Sequence, residues 1–192
     1  MRMIARESLD AVLNALGATL AERGLFYEIL VVGGSGLLLL GSITRTTKDV
    51  DVVAMRLEGD FREVSSLPEP LRDAAAATAR AFGLSDDWLN IGPSDLMFFG
   101  LPEGYRDRLQ VSTYGGLTVH AAGRFDQIAL KLYAATDATR LRDLDDLRAI
   151  KPSESELVAA AEWVMAHRLV RFRYDVVYLL NELGVDGADA KL

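Results

Sequence analysis

Apolar residues recur at three- and four-residue steps through the N-terminal segment. Ile4, Leu9, Val12, Leu13, Leu16 and Leu20 stay in phase, which predicts an amphipathic helix over residues 5–22, stopped near Gly24. The pattern then shortens. "FYEILVV" (26–32) is a nearly continuous apolar run bounded by polar residues and reads as a buried strand. "SGLLLLG" (35–41) follows paired glycines and is too Leu-rich for a strand, so a short buried helix is expected there. "DVDVVAM" (49–55) is the next strand.

Further on, "PLRDAAAATARAFG" (70–83) predicts a helix from its Ala content and leading Pro. Gly and Pro punctuate the segment from 86 to 108, where the apolar piece at 96–99 reads as a short strand or a turn. Two β-rich runs around Gly115 and Gly116 predict a hairpin. Helices are expected at 124–136, near 139–150, and at 153–167, where Ser153 and Glu156 form a capping box. A final helix covers "FRYDVVYLLNELG", ended by Gly184. The expected organisation is an α/β core over residues 1–123 with a helical part, 124–192, packed on it.

Composition narrows the chemistry. The chain of 192 residues has no Cys and two His, which excludes disulfide frameworks, Cys-based zinc sites and thiol catalysis. Any metal would be held mainly by oxygen. The N-terminal segment has no continuous apolar h-region and no run approaches a membrane span, so a cytoplasmic protein without membrane contact is expected. A formal net charge of −7 opposes general attraction to nucleic acid phosphate. Two basic clusters could act locally: Lys131, Arg140, Arg142, Arg148 and Lys151, then Arg168, Arg171 and Arg173. Solvated helix faces are the commoner explanation of such runs.

The glycine-rich stretch "LVVGGSGLLLLGSITRTTKDVDVVAM" (30–55) carries the most specific signal. A dinucleotide-binding G-x-G-x-x-G fails because position 39 is Leu, and a P-loop fails because no Lys follows Gly41. What remains is a glycine turn opening a helix, followed by Asp49 and Asp51 on an apolar strand. Residues at i and i+2 of a strand share a face, so both carboxylates point one way. Like charges held together in a mostly buried strand repel unless a cation sits between them, and hard oxygens suit Mg²⁺ bridging substrate phosphates. The competing reading has Asp49 at the strand start near solvent and Asp51 paired with a Lys or Arg.

"GGSGLLLLGSITRTTKDVDVV" resembles the hG[GS]…Dh[DE]h signature of the DNA polymerase β-type nucleotidyltransferase superfamily. Its R-T-x-K/R/S-D-h-D-h form resembles the AbiEii-like branch and its uncharacterised relatives. "KLYAATDATRLRDLDDL" (131–147) is similar to that branch's K-h-x-A…R-D-h-x-D-L motif, and "DWLN" (87–90) is similar to the uncharacterised relatives. The resemblance spans about residues 26–150.

It implies a small mixed nucleotidyltransferase-type sheet flanked by helices, with a C-terminal helical extension. It also implies metal-dependent transfer of an NMP from an NTP to an RNA, protein or small-molecule acceptor, with tRNA or a protein as target and an antitoxin-like partner for a toxin-like modifier. On that basis Asp49 and Asp51 hold Mg²⁺ or Mn²⁺. Gly33, Gly34 and Ser35, with Thr47 and Lys48, bind the nucleotide. Lys131 contacts the triphosphate, and Asp143 is an active-site carboxylate. Lys131 snorkelling from a helix edge, and Asp145 and Asp146 answering a helix dipole, are the plain alternatives. His120 reads as a packed edge residue and His167 as a cation at a helix end. The superfamily's usual third metal-binding Asp has no clear counterpart, Asp95 being a poor candidate. A non-catalytic protein that keeps the fold to bind nucleotide or to regulate is the second reading.

Overall fold

A computed structural model of the chain describes residues 3–94, 96–137, 139–167 and 172–192. The chain divides into two compact units, Met1–Gly123 and Arg124–Leu192.

The first unit is built on a mixed six-stranded sheet. Its strands are β1 (Tyr27–Val32), β2 (Val50–Leu57), β3 (Asp60–Arg62), β4 (Leu89–Asn90), β5 (Gln110–Tyr114) and β6 (Leu117–Ala121). They are ordered β3-β2-β1-β6-β5, with β4 also paired to β2. β1 pairs antiparallel with β2 and parallel with β6, and β5 and β6 form the expected hairpin. The apolar run of β1 fits this place: Leu30, Val31 and Val32 are buried between neighbours on both sides. The β1–β2 register shifts between Leu30 and Val31, which sets Val32 opposite Asp51.

Helices α1 (Arg6–Glu22), α2 (Gly33–Leu39), α3 (Glu69–Phe82) and α4 (Leu96–Phe99) complete this unit. The in-phase leucines of α1 are buried, and the helix packs against α3, β5 and β6. Gly17 lies on the same buried face. A Cβ there would sit 1.5 Å from the Tyr114 carbonyl oxygen, and the Gly116 N–H donates to the Gly17 carbonyl at 2.8 Å. Gly17→Ala is therefore expected to destabilise the protein by about 3 kcal/mol, although Ala is the better helix former by ~1 kcal/mol. Urea unfolding measures this, and a variant as stable as wild type contradicts the close approach. Nearby, burial and the Asp10 carboxylate push the Tyr114 phenol up to about 12, and its hydroxyl donates to Asp10 Oδ1 at 2.8 Å.

Two strands and one helix depart from the sequence expectation. Residues 96–99 form a single helical turn, not a strand or turn. β3 and β4 have three and two residues and carry no periodic signal. β4 forms because Trp88, fully buried with its indole N–H donating to the Ala75 carbonyl at 3.0 Å, anchors the chain beside α3. The Val50 N–H then donates to the Trp88 carbonyl at 2.5 Å, which opens the parallel pairing of β4 with β2.

The second unit contains α5 (Arg124–Ala135), α6 (Leu141–Ile150), α7 (Glu154–His167) and α8 (Arg173–Glu182). The capping box of α7 is formed: the Ser153 N–H donates to Glu156 Oε2 at 2.8 Å and the Glu156 N–H to Ser153 Oγ at 3.2 Å. The Arg124 guanidinium and the Ser153 groups hold the Glu156 carboxyl below its usual range, against burial. A carboxylate depressed by folding stabilises above its unfolded pKa, and that contribution fades as pH falls through the folded value. Glu156→Gln is thus expected to cost stability at about pH 7 and nothing at about pH 2, by urea unfolding at both. An equal cost at both pH values contradicts the assignment.

Among the described residues, no helix is long and apolar enough to cross a membrane.

Candidate active site

β1 ends by feeding directly into α2, so the glycine turn sits at the edge of the strand pair that carries the carboxylates. Gly33 has φ +69°, and a Cβ on it would stand 2.6 Å from Asp51 Oδ2. Gly34 is as constrained: its Cβ would lie 2.8 Å from Thr47 Oγ1 and 3.4 Å from Arg45 Nη2. Only glycine lets the backbone come this close to the side chains of Arg45, Thr47 and Asp51.

The segment carrying those side chains is tied down from the N-terminus. Ile4 and Thr47 exchange backbone hydrogen bonds of 2.8 and 2.9 Å in an isolated antiparallel bridge. Thr47 is buried, and its hydroxyl donates to the backbone carbonyl and the Oδ1 of Asp49, both at 3.4 Å. Lys48 is exposed, and Arg45 donates to the Thr46 carbonyl at 2.9 Å. Asp49 lies one residue before β2 and Asp51 within it; both are half-buried, while Val50 and Val52 between and beyond them are buried. Asp51 is the one half-buried position in the otherwise buried run Val50–Met55 of β2.

Gly33, Gly34, Thr47, Asp49 and Asp51 are thus neighbours in the first unit. Ser35 is buried in α2, and its hydroxyl donates to the Val32 carbonyl at 3.3 Å. Among the described residues, no group of three or more acidic or histidine side chains is gathered as a metal cage. The oxygen donors on this face are Asp49, Asp51 and the Thr47 hydroxyl, hard ligands of the type that hold Mg²⁺ or Mn²⁺ together with phosphate oxygens.

Asn90 escaped the sequence reading as a site residue. The β2–β4 register sets it opposite Asp51, and its Nδ2 donates to Asp51 Oδ1 at 3.5 Å. The similarity of "DWLN" to uncharacterised relatives was its only signal.

Lys131 and Asp143 belong to the second unit and form a network of their own. Lys131 Nζ lies 2.6 Å from Asp143 Oδ1 and 2.7 Å from Asp146 Oδ2, with the three side chains 10%, 8% and 1% exposed. Arg140 Nε adds a contact of 2.9 Å to Asp143 Oδ2. Lys131 therefore does not snorkel to solvent. Asp146 is likewise no surface group answering a helix dipole: it is buried on Lys131, and only Asp145 is exposed, paired with Arg148 at 3.3 Å.

The remaining candidates have plain roles. His120 is buried, with Nε2 2.7 Å from Glu28 Oε2 and its ring edge-on to Phe61 at 4.9 Å. Burial works to raise the Glu28 carboxyl, but hydrogen bonds from His120 and Arg56 hold it below its usual range. His167 ends α7 with Nδ1 2.7 Å from the Trp163 carbonyl. In the first basic cluster, Arg148 also reaches Glu182 at 3.4 Å, so Lys131, Arg140 and Arg148 are all engaged with carboxylates. Arg168 and Arg171 of the second cluster, and Asp95, lie outside the described residues.

No curated protein and no solved structure matches the chain. A family model described as nucleotidyltransferase of unknown function (DUF6036) matches residues 7–179. The match runs through the glycine turn, Asp49, Asp51, Lys131 and Asp143, and the chain belongs to this family of nucleotidyltransferases.

Proposed function

We propose that the chain is a metal-dependent nucleotidyltransferase that moves an NMP from an NTP to a hydroxyl of an RNA, a protein or a small molecule. The observation that carries this reading is the Gly33–Gly34 turn lying against Asp51 and Thr47, with Asp49 joined to the Thr47 hydroxyl.

In such a transfer the acceptor oxygen bonds to the α-phosphorus as the bond to the bridging oxygen breaks and pyrophosphate leaves. Catalysis is then mostly positioning and neutralisation of charge. Asp49 and Asp51 would hold Mg²⁺ or Mn²⁺, which supplies charge neutralisation at the phosphates when bound. Thr47 orients Asp49 through its hydroxyl. The bare backbone at Gly33 and Gly34 lets the turn lie directly against Asp51 and Thr47, and Lys48 and Arg45 are the cations of the same segment. Ser35 enters this reading as a fixed part of α2, its hydroxyl already engaged. The resemblance to the AbiEii-like branch assigns Lys131 and Asp143 parts in catalysis. Their ion pair favours a lysine fixed in place by two carboxylates.

Acceptor choice follows from the same resemblance: tRNA or a protein for a toxin-like modifier, with an antitoxin-like partner. An acidic protein also suits a cationic small molecule such as an aminoglycoside. The second reading, a nucleotide-binding protein without catalysis, rests on the sequence, where the superfamily's usual third metal-binding Asp has no clear counterpart.

The test is incubation with each labelled NTP and Mg²⁺ or Mn²⁺ against total RNA, a protein extract and an aminoglycoside, beside Asp49→Ala. Label carried to one acceptor by wild type alone supports the transferase. An NTP-dependent thermal shift without product supports the binding protein, and neither shift nor product contradicts both.

A further inference from the structure

We propose that Asn90 is a positioning residue for the carboxylate pair, orienting Asp51 through its side-chain amide. This rests on the reading of Asp49 and Asp51 as holders of a divalent cation.

The two-residue strand β4 lies parallel to β2, with Val50 opposite Leu89 and Asp51 opposite Asn90. The orientation of the Asn90 amide is set by groups that can play one part each. The Gly92 N–H can only donate, and it gives to Asn90 Oδ1 at 2.8 Å; the Asp87 carbonyl can only accept, and it receives from Nδ2 at 3.4 Å. The oxygen is therefore turned away from Asp51 and the N–H₂ toward it, donating to Oδ1 at 3.5 Å. Gly92 closes this turn tightly, since a Cβ on it would lie 2.9 Å from Asn90 Oδ1.

With its oxygen engaged by the Gly92 N–H, Asn90 is placed as a donor to a cation-holding carboxylate and not as a ligand. Partners of this kind fix the ligand's orientation, and their removal weakens metal binding by about 10–100-fold. An amide here adds no charge beside the Asp49 and Asp51 carboxylates.

Mn²⁺ binding to the whole protein, followed by electron paramagnetic resonance, tests the role without any assay of turnover. The variants are Asn90→Ser, Asn90→Ala, Gly92→Ala and Asp51→Ala, each with its melting temperature. Ser can still accept from the Gly92 N–H but cannot donate toward Asp51 across the gap. The expected result is one Mn²⁺ bound by wild type, binding lost in Asp51→Ala, and binding weakened about tenfold or more in Asn90→Ser and Asn90→Ala. Gly92→Ala weakens it in the same direction. A merely structural Asn90 would give lowered melting temperatures in Asn90→Ala with unchanged Mn²⁺ affinity, and Asn90→Ser like wild type; that result overturns the proposal. Wild type without Mn²⁺ binding, or Asp51→Ala binding as wild type does, overturns the cation reading beneath it.

Discussion

Asp51→Asn is expected to lower nucleotide transfer by about 10³-fold or more while leaving the protein about as stable as wild type. The two halves of this expectation come from one feature. Asp49 and Asp51 are half-buried at the start of β2, and the glycine turn admits no side chain between itself and Asp51 Oδ2. Asn keeps the shape of Asp at the half-buried position 51, so the folded state is retained. With a cation and a triphosphate present, the same change takes away one of the two charged ligands proposed for the cation. Steady-state rates and melting temperatures are both needed, because a variant that lost activity and stability together would indicate a folding residue. Retained transfer by Asp51→Asn would remove Asp51 from the site altogether.

The second large effect is one of stability. Lys131→Ala is expected to destabilise the protein by about 3–5 kcal/mol, because it removes the buried cation that both Asp143 and Asp146 contact inside the second unit. Burial decides the size. Lys131, Asp143 and Asp146 are 10%, 8% and 1% exposed, so solvent screens the pair little. Arg140 remains on Asp143 in the variant, but its side chain is 58% exposed and more screened by solvent than Lys131. Lys131→Met combined with Asp143→Asn and Asp146→Asn is expected to recover most of the loss, since it removes both the cation and the charges it answers. Urea unfolding of the single and triple variants measures the effect. A Lys131→Ala protein as stable as wild type would mean that the network contributes nothing to folding.

Most of the elements were legible because their patterns are long. The phase of Leu9, Val12, Leu13, Leu16 and Leu20 marks α1, and the capping box at Ser153 and Glu156 marks the start of α7 to within one residue. β3 and β4 were not legible. Two or three residues have no period, and β4 exists because Trp88 finds a place beside α3, a tertiary event that no local signal announces. The same event brings Asn90 to Asp51, so the one residue of the carboxylate face that sequence reasoning missed is the one delivered by a long-range contact.

Residue types at the glycine turn were readable, but their engagement was not. Gly33 and Gly34 lie against Asp51 and Thr47, whereas Ser35 has its hydroxyl on its own helix turn. In "RDLDDL", three aspartates look alike in sequence, yet Asp143 and Asp146 are buried on Lys131 and Asp145 is exposed on Arg148. Helical spacing groups Asp143 with Asp146, but only packing distinguishes a buried partner from a charge near a helix start.

The central claim is that the chain transfers the α-phosphate portion of an NTP. The most direct measurement compares NTP labelled at the α-phosphate with the same NTP labelled at the γ-phosphate, incubated with metal and the accepting RNA, protein or small molecule. Nucleotidyl transfer predicts label on the acceptor from the α-position only, with the γ-label recovered in pyrophosphate, and neither product from Asp49→Ala. Label on the acceptor from the γ-position, or free phosphate in place of pyrophosphate, would contradict it.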